Sequence, residues 1–223
     1  MTEPFPWKST LPLAVIAMII AAFLPFDRGI SLLTSGDLRL HMLLVGALAM
    51  GGGWLGQRAG LNLQGGVGVG LLFAPGGAAY VLLLDVVLFH RLLPQGTLAL
   101  AHSPLVGRWI VFMGRAFYEN VIYRLFVFSL MMFGLQRFHA KTKPQLPVVL
   151  LAGLMAQMIN IGLNVWLTVD DAPSLAELGY WSVRYVAPGV LWAWIYWRYG
   201  FLTTEIASVG GHFFLQPAYG LLV

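Results

Sequence analysis

Long apolar runs separated by short polar or charged breaks set the pattern of the chain. A helix needs about 20 mostly apolar residues to cross a hydrocarbon layer of roughly 30 Å, and several runs approach or reach that length. The first covers 11–26 and is closed by Asp27 and Arg28; it has no small-residue cleavage pattern, so it is expected to be retained as a span. The second covers 38–55. Gly52, Gly56 and Gly60 follow one another there at four-residue spacing, and Gly66 with Gly70 repeats it, a pattern that lets helix backbones approach closely. A third span is expected over 67–92, with a kink or break at Pro75-Gly76-Gly77. Ser103-Pro104 has the form of a helix start. The stretch 104–138 would measure ~52 Å as one helix, so an interfacial piece ending near Gly114 and a span over 115–136 are expected. Spans over 147–169 and 181–197 and an apolar segment from Phe201 onward complete the set. The predicted fold is all-α: a single polytopic transmembrane domain, 1–223, built as a bundle of six to eight helices.

Composition strengthens this reading. The 223 residues are 59% hydrophobic and 10% charged, with a mean hydropathy of +0.78, whereas soluble domains carry roughly a quarter charged residues. A water-soluble enzyme is excluded. Cysteine is absent, which removes disulfides, thiolate metal sites, thiol nucleophiles and cysteine-linked lipids. The net charge of +4 comes from Lys and Arg scattered between apolar runs, as expected of topology and headgroup anchors and not of a nucleic-acid surface.

Loop charge gives an orientation. Segment 137–143 holds Arg137, Lys141 and Lys143 without an acid, whereas 169–179 holds Asp170, Asp171 and Glu177 without a base. The first is expected in the cytoplasm and the second outside. Arg184 blurs the contrast, and Arg91, Arg108 and Arg115 lie unbalanced on the side opposite Arg137. The expected location is the plasma or inner membrane of the cell, with multiple passes.

Ionisable groups within apolar helices are costly and normally face the bundle interior. Tyr118-Glu119-Asn120-Val121-Ile122-Tyr123-Arg124 sets a carboxylate and a guanidinium in such a run. Gln157, Asn160 and Asn164 fall at i, i+3 and i+7, and Glu205, Ser208, His212 and Gln216 at i, i+3, i+7 and i+11, so each set forms one helical stripe. Interhelical hydrogen bonding explains the amides taken alone, and Glu119 could form a structural ion pair with Arg124 or with Arg115. Together the three helices supply a general base, a charge clamp and donors for a developing oxyanion. Asp85 and His90 form a second ionisable pair, with Asp85 read as structural or accessory. His41, His102 and His139 are expected at the interface.

The stretch Ala116 to Arg124 resembles the first motif of the CPBP intramembrane proteases, the group containing type II CAAX prenyl endopeptidases and bacteriocin-processing proteins: Glu-Glu-x-x-x-Arg with an aromatic residue, here Tyr123, before the arginine. His212 through Gln216 resembles the closing motif, a His followed four residues later by Asn. The resemblance covers about 115–217, the expected catalytic core. In this chain Asn120 stands for the second glutamate, Gln216 for the closing asparagine and Leu125 for the glycine after the arginine; the 147–169 helix has no histidine for the middle motif, so Asn160 is its best-placed substitute, with Gln157 and Asn164 as rivals.

The resemblance implies an intramembrane endopeptidase in which Glu119 activates water. His212 and an amide of the 157–164 stripe polarise the carbonyl, Arg124 holds Glu119 or the helix start, and Asn120, Gln216, Glu205, Asn164 and Gln157 are accessory. No cofactor is expected. A metal would have Glu119, His212 and Glu205 to bind it, without a His-Glu-x-x-His motif or a second convincing imidazole, so a glutamate-based, metal-free reaction is favoured over a tight zinc site. The expected partners are a membrane-anchored protein or hydrophobic peptide and the bilayer itself. Sequence patterns of serine, aspartyl and paired-histidine intramembrane proteases are absent. Two alternatives stand beside this reading: an inactive scaffold or immunity factor on the same fold, supported by Asn120 and the missing middle histidine, and a small transporter, which the lack of an inverted repeat disfavours.

Overall fold

A computed structural model of the chain describes residues 5–24, 28–93, 98–99, 101–138, 145–165 and 172–222. It is an all-α bundle; no strand occurs among the described residues. Eight helices are described from end to end: α1 (Trp7–Phe23), α2 (Arg28–Leu33), α3 (Leu38–Arg58), α4 (Val67–Leu82 continued by Leu83–Leu88), α5 (Leu105–Glu119, Asn120–Phe128 and Ser129–Phe138), α6 (Leu146–Asn164), α7 (Leu175–Trp181, Ser182–Val186 and Ala187–Tyr199) and α8 (Phe201–Leu222). Four of them, α3 to α6, are long and apolar enough to cross a membrane. The 17-residue α1 is apolar but shorter, α7 and α8 occupy the positions of the last two expected spans, and α8 carries the buried Thr203, Thr204, Glu205 and Gln216.

Small residues set the helix spacing. Ala14, Ala17 and Ala21 of α1 are buried against α3, where a Cβ on Gly46 would come 2.7 Å from the Met18 sulfur and one on Gly53 2.0 Å from a Thr10 methyl. A Cβ on Gly52 would meet the Leu125 backbone of α5 at 2.7 Å, and one on Gly70 of α4 would meet Ile206 of α8 at 2.7 Å. The four-residue glycine spacing therefore serves close packing at Gly52, Gly56 and Gly70. Gly60 and Gly66 do other work: Gly60 closes α3 at φ +69°, and Gly66 is the N-cap of α4.

Three expectations change. The helix α4 runs unbroken through Pro75-Gly76-Gly77, because the missing proline N–H costs one bond that neighbouring turns absorb; its irregularity is a π-helical turn at Leu83–Leu88, and it ends there rather than at residue 92. The helix α5 is continuous from Leu105 to Phe138 with no interfacial break at Gly114; Gly114 instead gives close passage to Leu24, the residue that follows α1, where a Cβ would stand 2.6 Å from a methyl. His41 is buried, not interfacial; its Nε2 lies 2.5 Å from the Tyr118 hydroxyl of α5. His90 and His102 are exposed, whereas His139, Asp170 and Asp171, with most of the two loops that set the expected orientation, lie outside the described residues.

The junction of α7 and α8 fixes the last helix. Gly200 has φ +99°, and a Cβ there would lie 1.5 Å from the Gln64 carbonyl oxygen, so only glycine fits the turn. The first N–H groups of α8 would otherwise lack partners. Phe201 N–H donates to the Asn62 carbonyl at 2.9 Å and Leu202 N–H to that of Leu63 at 3.2 Å. This anchoring sets the rotation of α8 and hence the direction of its polar stripe.

Candidate functional site

A cavity of about 240 Å³ opens between α5, α6, α7 and α8. The three polar stripes of the sequence converge on it: Glu119, Asn120 and Arg124 from α5, Gln157, Asn160 and Asn164 from α6, and Ser208, His212 and Gln216 from α8 all line its wall. Glu205 is not a wall residue. It is buried just behind, where Asn120 Nδ2 donates to its Oε2 at 3.3 Å and its Oε1 has no partner.

The local helix geometry explains how α5 delivers its groups. Asn120–Phe128 is π-helical, a form frequent at functional sites because the widened turn redirects side chains and loosens the backbone ladder. Seven positions of this segment, Asn120 to Leu125 and Phe128, are buried, with Asn120 and Arg124 on the cavity and Val121, Leu125 and Phe128 in the core. Another π-helical turn, Ser182–Val186 of α7, carries Arg184 to the wall of the same cavity.

Glu119 pairs with Arg115, one turn earlier on α5, through Oε1 at 2.7 Å. Its side chain is 25% exposed, which places the carboxylate at the mouth. An ion pair between Glu119 and Arg124 is not formed. Arg124 instead reaches across to α6, where its Nη2 donates to Gln157 Oε1 at 2.8 Å; the amide lies closer along that face than the carboxylate, so Arg124 ties α5 to α6 rather than holding Glu119. Gln157 is in turn packed on Gly189 of α7, where a Cβ would stand 2.2 Å from its amide.

Asn164 Nδ2 donates to the Tyr123 hydroxyl at 2.8 Å and to Asn160 Oδ1 at 3.0 Å. Asn160 itself lines the cavity. On α8, Gln216 Nε2 and His212 Nδ1 are 3.3 Å apart. An amide donating to Nδ1 keeps the proton of a neutral imidazole on Nε2. Phe112 of α5 stacks on the His212 ring with centroids 5.7 Å apart, which fixes its plane.

Asp85 does not pair with His90. Its carboxylate accepts from Arg184 Nε at 3.0 and 2.9 Å, from the Tyr180 hydroxyl at 3.0 Å and from the Tyr219 hydroxyl. It is fully buried and joins α4, α7 and α8. Its partner Arg184 lines the cavity, as do Tyr219, Trp192 and Phe112. Sequence reasoning treated Arg184 only as a topology marker. The available signal was that a lone acid and a lone base in apolar surroundings require partners, although 99 residues separate them.

Among the described residues, no group of three or more His, Asp or Glu is placed to hold a metal ion. No family model, curated protein or solved structure matches the chain.

Proposed function

We propose that the protein is a multi-pass intramembrane endopeptidase of the cell membrane, a CPBP-like glutamate enzyme that hydrolyses a peptide bond of a membrane-anchored or hydrophobic-tailed protein. The observation that carries this reading is the convergence of Glu119, Asn160, His212 and Gln216 on one polar cavity between otherwise apolar helices. Peptide hydrolysis inside a membrane needs a water site, a base and oxyanion donors held together, and these residue types meet each need.

Glu119 acts through Oε2, since Oε1 is occupied by Arg115. It takes a proton from water as the water oxygen bonds to the scissile carbonyl carbon. The oxygen of the tetrahedral intermediate accepts hydrogen bonds from His212 Nε2–H and the Asn160 amide. The C–N bond then breaks, the proton passes from Glu119 to the leaving amine, and a carboxylic acid and an amine are released. Gln216 sets the tautomer of His212, and Arg124 positions the α6 stripe through Gln157. With α5 leaving the membrane on the cytoplasmic side at Arg137, Glu119 stands toward the outer half of the bilayer, which favours maturation or surface sorting of an anchored protein.

Replacing Glu119 with Gln in proteoliposomes tests the reading. Processing of a single-span peptide substrate should stop while the folded yield is kept; unchanged processing rejects Glu119 as the base and favours the scaffold reading.

A further inference from the structure

A second cavity of about 370 Å³ lies between α4, α7 and α8. The two cavities are back to back. Arg184, Pro188, Trp192, Ser208, His212 and Leu215 line both. The character of the second is different: α4 contributes Leu72, Phe73, Gly76 and Ala78, α7 adds Leu191, and the one α4 hydroxyl in the wall, that of Tyr80, is spent on the Val183 carbonyl at 2.5 Å. That carbonyl belongs to the π-helical turn of α7, so Tyr80 braces α4 against α7 beside the cavity. The mouth is apolar and faces outward between these helices, where Leu72 is 78% exposed and Leu191 40% exposed. Gly76 keeps the space open, since a Cβ built there meets no atom within 4 Å.

We infer that this apolar cavity is a specificity subsite that receives a bulky aliphatic or aromatic side chain of the substrate, from a residue flanking the bond presented at His212. The inference rests on the proteolytic reading and names the substrate feature it selects. Its geometric basis is the shared wall. Successive side chains of an extended peptide point to opposite faces about 3.3 Å apart along the chain, so a carbonyl held at His212 in the polar cavity directs an adjoining side chain past Ser208 and Leu215 into the apolar one. An acyl chain of the bilayer has no comparable reason to end against an imidazole and a serine. Because a side chain leaving lipid gains little from the transfer itself, selectivity comes from close fit, and a side chain that fills the space is preferred over Ala by about tenfold.

The experiment uses the full chain in phosphatidylcholine vesicles with single-span peptides that differ at one position beside the cleaved bond, carrying Gly, Ala, Leu or Phe. Wild-type protein should cut the Leu and Phe peptides about tenfold faster than the Ala peptide. Gly76→Leu fills open space with a better helix former and should bring this ratio close to one; Leu72→Trp, at the mouth, does the same if the first variant folds poorly. In parallel, the Leu peptide is made with photo-leucine and irradiated with the Glu119→Gln protein, and a diazirine-bearing phosphatidylcholine is irradiated alone and in competition with the peptide. Peptide label on the 72–81 face of α4 and on Trp192, displacing lipid label, is the expected result. Cleavage with an unchanged Leu-to-Ala ratio in the filled variants, or lipid label in the cavity that peptide does not displace, overturns the subsite and leaves the proteolytic reading standing. Absence of cleavage of every peptide overturns the proteolytic reading, and photo-leucine label found only outside the cavity then overturns the subsite as well.

Discussion

Asn120 of α5 and Glu205 of α8 meet behind the polar cavity, the amide donating to one carboxylate oxygen at 3.3 Å while the other oxygen stays buried without a partner. A buried acceptor left unmet costs about 1–3 kcal/mol. Glu205→Gln keeps an amide oxygen for Asn120 and brings its own donors, so the protein should unfold at an equal or higher temperature in detergent. Asn120→Asp faces two carboxyl groups at that distance and should lower the unfolding temperature; equal melting of the two variants would contradict the contact.

The buried Asp85–Arg184 pair is the second load on the fold. Removing one member strands the other, a loss of about 3–5 kcal/mol, whereas replacing both with apolar residues of similar size is close to neutral. Asp85→Ala should therefore unfold well before the double variant Asp85→Leu with Arg184→Met. Equal destabilisation by the single and double changes would show that the ion pair itself, and not the stranded charge, matters.

Helix packing makes a contrast between glycines testable. Gly52→Val must push the Leu125 backbone away from a 2.7 Å approach, so the yield of folded protein should fall sharply. A Cβ at Gly134 meets nothing within 4 Å, so Gly134→Ala should be tolerated and gain about 0.5–1 kcal/mol from helix propensity. Size-exclusion profiles of the two variants check this.

The start of α7 carries a pH-dependent cap. Ser174 accepts from Glu177 N–H at 3.2 Å, while the Ser174 hydroxyl and N–H donate to Glu177 Oε2 at 2.7 and 2.8 Å. These bonds hold the Glu177 carboxyl below the usual carboxylate range. A lowered folded-state value means that the stabilisation is present above the ordinary carboxylate pKa and is lost as pH falls through the lowered one. Amide exchange in the first turn of α7 should therefore speed up, after correction for intrinsic rates, as pH falls through and below the ordinary carboxylate range. Ser174→Ala should abolish that pH step and cost about 1 kcal/mol of helix-end stability.

Much of this architecture was legible in the chain. The runs starting at Leu38, Val67 and Phe201 begin where α3, α4 and α8 begin, because glycine and charged breaks punctuate apolar runs strongly. The stripes on α6 and α8 pointed to a common face because 3.6-residue periodicity carries direction. Other features were hidden for physical reasons. The π-helical turns that aim Asn120, Arg124 and Arg184 have no composition signature. The pairing of Asp85 with Arg184, and of Arg124 with Gln157 in place of Glu119, depends on which helices become neighbours. His41 sits in the first turn of α3, a position that reads as interfacial until the longer α5 is seen to run alongside and bury it against Tyr118.

On the proposed function, Glu119 and His212 work on one peptide bond of a membrane-anchored protein. The most direct measurement compares protein termini in membranes from cells producing the wild type, Glu119→Gln or His212→Ala at matched levels of folded protein. A defined set of new termini, present with the wild type and missing with both variants, is the predicted result. Identical termini in all three membranes would contradict it.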